Sequence, residues 1–465
     1  MKARLFVLVL VAGAVLAASG LASPQGKWSA VTTGGEQSSI SNIGVARTAD
    51  GTLHVVWQRK AGGGYDLLQT AISGSGNVGG ATPIVTGWNG IGDADLALGA
   101  GGERLTFFAG IRTTDTFEPL FGLNLATSTD RGSSWALAPA SIFTKNYAYG
   151  RTPSVVAVNG VPIATWYYIG EPVVHVGLDP NTDVRQYAPP GLNENIAFDP
   201  SSGQVLIAWC NGLERDAGLG VWVQQVDPAS GAGVGAPARM PGSFTSFEGQ
   251  DQHLCPAAPR TALVARTGGG FFTASLTGYP AEDKLLVWRV GSAKPVAVAE
   301  SKDGLSEEVA LAADSSGRIW AGWSDSVGGT PYIYVRRSNR AATVWGAVVS
   351  VKAPANYIDF QNLDLSAQPD RLDVLARFGT TAPSTNLFHT QISPGLTLTA
   401  KGGNAASFRV TDAGDPVAGA TVKIGGKTLK TNAKGVASID LPAGSYKAAA
   451  SKAGYASATA SVKAT

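Results

Sequence analysis

The sequence predicts an all-β chain: a seven-bladed β-propeller, with six blades as the alternative, followed by a small C-terminal β-sandwich. Three observations predict it. A phrase of alternating strand, small or acidic turn and apolar run recurs seven times; the run often ends in Trp; and the composition changes near Gly395. A period near fifty residues is the length of one propeller blade.

The phrase reads SNIGVARTADGTLHVVW at 41–57, then DADLALGAGGERLTFFA, TPSVVAVNGVPIATW, NENIAFDPSSGQVLIAW, RTALVARTGGGFFTASL, EEVALAADSSGRIWAGW and NLDLSAQPDRLDVLA at 362–376. Its turns fall at Gly51, Glu103, Gly160, Gly203, Gly270, Gly317 and Asp370, spaced by 52, 57, 43, 67, 47 and 53 residues. The second run of each phrase is apolar on nearly every residue, as expected for a strand covered on both faces. A third strand follows each time, from DLLQTAI at 66–72 to NLFHTQI at 386–392.

The fourth strand is faintest, and STDRGSSW at 128–135 marks where one begins. Asp130 can accept backbone N–H groups of its own turn, Ser128 can brace it, Gly132 tolerates positive φ, and Trp135 can tuck against the blade edge. A degenerate copy at 336–349 keeps Trp345 and lacks the acid. KWSAVTT near the N-terminus resembles the strand that follows this turn, with nothing before it, whereas the seventh repeat has no fourth strand. Trp28 to Thr33 is therefore expected to complete the last blade and close a propeller spanning 27–394.

STDRGSSW matches the Asp-box pattern S-x-D-x-G-x-x-W, and the repeats resemble sialidase-like (BNR, Asp-box) propellers. The resemblance implies a scaffold turn between third and fourth strands, on the face away from the usual ligand side. Sialidase chemistry would require three arginines around a carboxylate, a Tyr nucleophile helped by Glu, and an Asp acid/base. This chain has one intact box, no R-I-P or R-L-P motif near its start, and seven repeats where that family has six blades. Residues 395–465, with Pro416-Val417, the GG hairpin at 425–426, TNAKG, LPAGSY and AGY, resemble the carboxypeptidase-regulatory-like, transthyretin-like β-sandwich modules of secreted bacterial proteins. The resemblance implies a spacer or attachment domain.

Residues 1–22 carry Lys2, Arg4, an apolar run from Leu5 to Leu16 and small residues at Gly20 and Ala22, which predicts a secretory signal and a secreted, extracellular protein. No other run is long and apolar enough for a transmembrane segment. From Ser393 onward there are nine basic residues against three Asp, while residues 23–392 carry 25 basic and 31 acidic. A negatively charged propeller argues against nucleic acid as a partner. Cys210 and Cys255 are the only cysteines, and export makes a disulfide between them the expectation. His54, His175, His253 and His389 are scattered and show no zinc spacing. No cofactor motif appears and none is expected; Asp and Asn in the channel could hold calcium, without a twelve-residue loop to support it.

Propeller ligands sit at the channel mouth, on the loops that lead into the innermost strands and join second to third strands. The first set offers Asp93, Asp95, Arg151, Glu194, Asn195, His253, Arg260, Glu307, Glu308, Asp359 and Asn362, and the longest repeat adds the loop with Glu248 and Asp251. The ligand-site candidates are Asp95, Arg151, Glu194, Asp251, His253, Arg260, Glu307 and Glu308. Carboxylates and amides beside Tyr and Trp suit sugars. The expectation is a monomeric recognition or adhesion protein for glycan or another cell-surface polymer, with a glycoside hydrolase or related polysaccharide-cleaving enzyme, or a protein-binding scaffold, as alternatives.

Overall fold

Short runs of Val, Ile, Leu, Phe and Trp separated by Gly, Asn and Asp turns favour hairpins over helices in the repeats. A computed structural model of the chain describes residues 26–32, 42–112, 122–141, 151–168, 170–179, 184–211, 218–243, 260–277, 284–300, 308–357, 359–380, 385–403 and 405–465. Among them there are strands and turns and no helix. Asp251, His253, Cys255, Glu307 and the signal at 1–22 lie outside the described residues, as does the side chain of Arg151.

Up to Ile392 the described strands form seven four-stranded antiparallel sheets. Sheet I holds Gly44–Arg47, Leu53–Ala61, Gly64–Ile72 and Val78–Trp88; sheet II holds Gly90–Leu98, Arg104–Ile111, Gly122–Ser128 and Ala136–Leu137. Sheet III holds Arg151–Val158, Val161–Tyr168, Glu171–Val176 and Arg185–Gln186; sheet IV holds Leu192–Asp199, Gln204–Asn211, Gly220–Val226 and Gly233–Arg239. Sheet V holds Ala262–Ala265, Phe271–Thr277, Lys284–Arg289 and Val296–Glu300; sheet VI holds Val309–Ala313, Ile319–Val327, Thr330–Arg337 and Val349–Lys352. Sheet VII takes Asp359–Gln368, Arg371–Gly379 and Thr385–Ile392 from the end of this region and Ser29–Ala30 from its beginning.

The first strand of every sheet packs against the first strand of the next, and that of sheet VII returns to that of sheet I, so the inner strands close a ring. Each of the seven gaps between neighbouring sheets holds its own buried apolar cluster. This explains the continuous apolar second strands, since both faces are covered. The recurring Trp has a consistent place: Trp57, Trp166, Trp209 and Trp323 each fill the gap towards the preceding sheet. Phe108 faces sheet I in the corresponding place on sheet II. Gly44 matters because a Cβ there would stand 2.7 Å from the backbone of Asp95 and Leu96, so glycine lets the inner strands of sheets I and II touch.

Sheet VII is joined from both ends of this region. Ser29 pairs with His389 and Ala30 with Phe388. Trp28 lies edge-on to Phe378 at 5.2 Å between ring centroids, and its Nε1 donates to the Lys352 carbonyl at 2.7 Å.

Beyond Gly395 two further sheets carry a separate buried core of Phe408, Val410, Val422, Ile424, Ala448 and neighbours. Sheet VIII is built on Ala405–Asp412, flanked by Thr397–Lys401 on one edge and by Asp415–Pro416 and Val436–Asp440 on the other. Sheet IX has the order Lys427–Lys430, Thr421–Ile424, Gly444–Ser451, Ala458–Ala464. This region is tied to the far end of sheet VI by buried ion pairs. Asp412 meets Arg337 at 2.9 Å and Arg318 at 3.5 Å, and Asp415 meets Arg318 at 2.8 Å. Arg337 also reaches Asp314 at 2.5 Å.

Candidate functional site at the heads of the inner strands

The inner strands begin at one end of the ring, and four of them are irregular there. Register shifts fall between Ile91 and Ala94, Arg151 and Ser154, Leu192 and Asn195, and Phe360 and Asn362. Thr152 and Asn193 take φ of 55° and 59°. A bulge re-aims side chains, and a β-branched residue at positive φ persists only where its surroundings hold it.

The holding groups are polar. Asp93 accepts the Asn42 N–H at 2.6 Å and the Thr152 N–H at 2.9 Å, stitching sheets I, II and III together. Asp95 accepts the Val155 N–H at 2.8 Å and the Ser154 hydroxyl at 3.2 Å, and pairs with Arg260 at 3.2 Å. Arg260 stands at the head of sheet V and also donates to the carbonyls of Ala94 at 2.8 Å and Pro153 at 2.7 Å. Asn195 accepts from Ser154 at 2.8 Å and donates to the Thr261 carbonyl at 2.8 Å.

Asn42, Asn195, Arg260, Glu308, Asn362 and Asp364 supply the polar lining of a cavity of about 70 Å³. That volume holds several waters and is well below the roughly 300 Å³ at which small-molecule pockets begin. Arg260 is the one cation in the described lining. Desolvation pushes the Asp364 carboxyl up to about 7, a rise opposed by the Arg260 charge and assisted by that of Asp95. Glu194 is fully buried beside this ring; desolvation pushes it up to about 8, against the hydrogen bond from Thr152 at 3.3 Å. Its Oε1 has no hydrogen-bond partner among the described residues.

Of the residues singled out from the sequence, Asp95, Arg260 and Glu308 converge on this ring, with Asn195 and Asn362. Glu194 borders it from within the wall. Arg151 opens its strand with its backbone opposite Tyr167. Asp364, Ser154 and Asn42 were not among the candidates. Strand parity carries the signal for Asp364, which follows Asn362 by two residues and so shares its face. Among the described residues no group of three or more His, Cys, Asp and Glu could hold a metal ion.

The turn at 128–135 lies at the opposite end of sheet II. Asp130 accepts from the Ser128 hydroxyl at 2.9 Å, the Ser134 N–H at 2.9 Å and the Ser134 hydroxyl at 2.6 Å, which hold its carboxyl down at about 2. Gly132 sits at φ +86°, and a Cβ there would collide with the Gln69 side chain. Trp135 packs against the core between sheets I and II. Cys210 is buried at the end of its strand opposite Leu192.

No family model and no curated protein matches the chain. Among solved structures it is similar to a protein of unknown function from Dyadobacter fermentans, with 11% identity and a TM-score of 0.46 over 80% of this chain and 98% of that one. An α-L-arabinofuranosidase from Fusarium graminearum, in complex with an iminosugar inhibitor, gives 15% identity and 0.43 over 76% and 92%. An ulvan lyase of polysaccharide lyase family PL25 gives 12% and 0.45 over 76% and 94%. All three lie under 25% identity and under 0.5 in TM-score, so the reading of the site rests on its own residues.

Proposed function

We propose that the chain is an exported seven-bladed β-propeller with a C-terminal β-sandwich, and that it binds a glycan or another cell-surface polymer at the mouth of the ring. The observation that carries this is the convergence of carboxylate, amide and guanidinium groups from several inner strands on one small cavity, held by bulges rather than by regular pairing. Hydroxyl-rich ligands are recognised by such mixed donors and acceptors. The cavity has room for only a few waters, so the polymer would lie over it, met by the residues at its rim. The signal at 1–22 and a Cys210–Cys255 bridge belong to the same reading of an exported scaffold.

A glycan array probed with the wild-type chain and with Glu308→Gln tests it. Binding without turnover, weakened at least tenfold by the substitution, is the expected result. Failure to bind any glycan overturns the glycan reading. Mass spectrometry without reductant checks the bridge, and two alkylatable thiols would exclude it.

One observation favours a second reading. Asp364, held near 7, stands close enough to Arg260 and to the Arg260-paired Asp95 to feel both charges. A carboxyl that keeps its proton to neutral pH can serve as the acid in glycoside cleavage. Release of sugar by the wild-type chain, lost in Asp364→Asn, would establish cleavage in place of recognition.

A further inference from the structure

The outer face of sheet IX carries an ordered row of cations. Thr421 pairs with Lys430 and with Ser451; Lys423 pairs with Thr428 and Ala449; Lys447 pairs with Ser461; Ser445 pairs with Lys463. Directly paired residues share a face, opposite to the buried Val422, Ile424, Ala448, Ala450 and Val462. Lys430, Lys423, Lys447 and Lys463 therefore occupy successive strands, each displaced two residues along from the last. They form one diagonal across all four strands, and all four are exposed. Strand spacing of about 4.8 Å and a rise of about 3.4 Å per residue set neighbouring lysines about 8 Å apart, and the outermost about 25 Å apart.

Nothing acidic interrupts this face. The region from Ser393 onward has three Asp, and two of them, Asp412 and Asp415, are taken up by Arg318 and Arg337 of sheet VI. The third, Asp440, belongs to sheet VIII. Docking thus buries Asp412 and covers most of Asp415, Asp440 stands exposed on the other sheet, and residues 23–392 keep their excess of acids.

We propose that this diagonal is a binding surface for a linear polyanionic polysaccharide, separate from the mouth of the ring. Evenly stepped point charges on a flat sheet suit a chain that bears carboxylates or sulfates at regular intervals. The positions between the lysines are Thr, Ser and Ala, which offer hydroxyls to sugar hydroxyls. The face holds no aromatic or large apolar side chain to enter a bilayer or stack on bases, and no Arg to clamp a phosphate in bidentate fashion. The acidic body repels a polyanion elsewhere, so the diagonal is where it would settle.

Binding of heparin and of polygalacturonate to the full chain is measured across a NaCl series, with neutral dextran as control. Lys423→Ser/Lys447→Ser removes two members of the row, whereas Lys401→Ser/Lys434→Ser removes two exposed lysines from elsewhere in the same region at equal net charge. The expected result is at least a tenfold loss for the first pair, with a shallower salt dependence, and a change within about twofold for the second. Equal losses in both pairs, no binding of either polyanion by the wild type, or tighter binding to phosphatidylglycerol vesicles would each overturn the proposal. All four substitutions are on exposed side chains, so unchanged melting certifies that either result is read on folded protein.

Discussion

Arg260, at the head of sheet V, places a guanidinium nitrogen 3.2 Å from Asp95 on the inner strand of sheet II. A second nitrogen reaches the carbonyls of Ala94 and Pro153, so one side chain ties the consecutive sheets II and III to sheet V. It also supplies the positive charge that limits the rise of the Asp364 carboxyl. The pair therefore sets both the shape and the charge balance of the cavity.

Removing one partner of such a pair leaves a buried charge uncompensated. Arg260→Met should cost about 3–5 kcal/mol of stability, as should Asp95→Asn less steeply, while the double variant recovers part of the loss. A denaturant double-mutant cycle checks this. Additive losses would show that the two groups do not act together.

Stability should also fall with rising pH through these acids. Glu ionises at 4.5 and Asp at 3.8 in the reference state, whereas Glu194 and Asp364 keep their protons to about 8 and about 7 in the folded chain. The native state then binds more protons in that window, so the stability is full below about 4 and is lost as pH climbs to 8. Each unit of displacement is worth about 1.4 kcal/mol. Glu194→Gln should flatten the profile between pH 5 and 8, read as the melting temperature of variant minus wild type, and a parallel pair of curves would refute the assignment.

Much of the molecule is readable in the sequence for a local reason. Turns announce themselves because positive φ demands Gly, as at Gly51 and Gly317, and the apolar second strands announce themselves because both faces are covered. Trp recurs because each gap between sheets needs one large filler, as at Trp166 and Trp209. The site is less readable. Glu194, Asn195 and Asn362 look alike as polar residues near strand ends, and only the register shifts decide that Asn195 and Asn362 face the cavity while Glu194 turns into the wall. The degenerate turn at 338–345 shows the same limit. Its acid is absent, but Asn339 accepts the N–H groups of Thr343 and Val344, and Ala342 takes φ of 54°. A substitution one position away conceals the equivalence from pattern matching.

The strand Ser29–Ala30 is short, yet it carries Trp28 into the aromatic cluster of sheet VII and sets Thr32 against the Leu387 N–H at 2.9 Å. Deleting residues 27–32 exposes the edge of Thr385–Ile392 and empties the space beside Phe378 and Phe388. Trp28→Ala alone should cost about 3 kcal/mol, at the lower end for a large aromatic because its side is partly exposed. Thermal melting of both forms checks it, and an unchanged midpoint in the deletion would show that the ring does not depend on this strand.

The tie between sheets VI and VIII is an ion network in which one carboxylate serves two arginines. Burial pushes the Asp412 carboxyl up, against the pull of Arg337 and Arg318, so the charge there is sustained only by those neighbours. Asp412→Asn would leave Arg318 to Asp415 and Arg337 to Asp314, two cations against two carboxylates, but would remove the one carboxylate that both arginines share across the junction. The cost should be about 1–3 kcal/mol, concentrated at the junction because neither apolar core is touched. A single cooperative melt should therefore split into two, with the 395–465 region released to proteolysis near Pro394 while the ring stays folded. Asp412→Asn combined with Arg337→Met should give no rescue, because Asp314 is then buried without its cation. If the single variant melts as one unit at the wild-type temperature, the arginines are satisfied without Asp412 and the two regions are held by apolar contact instead.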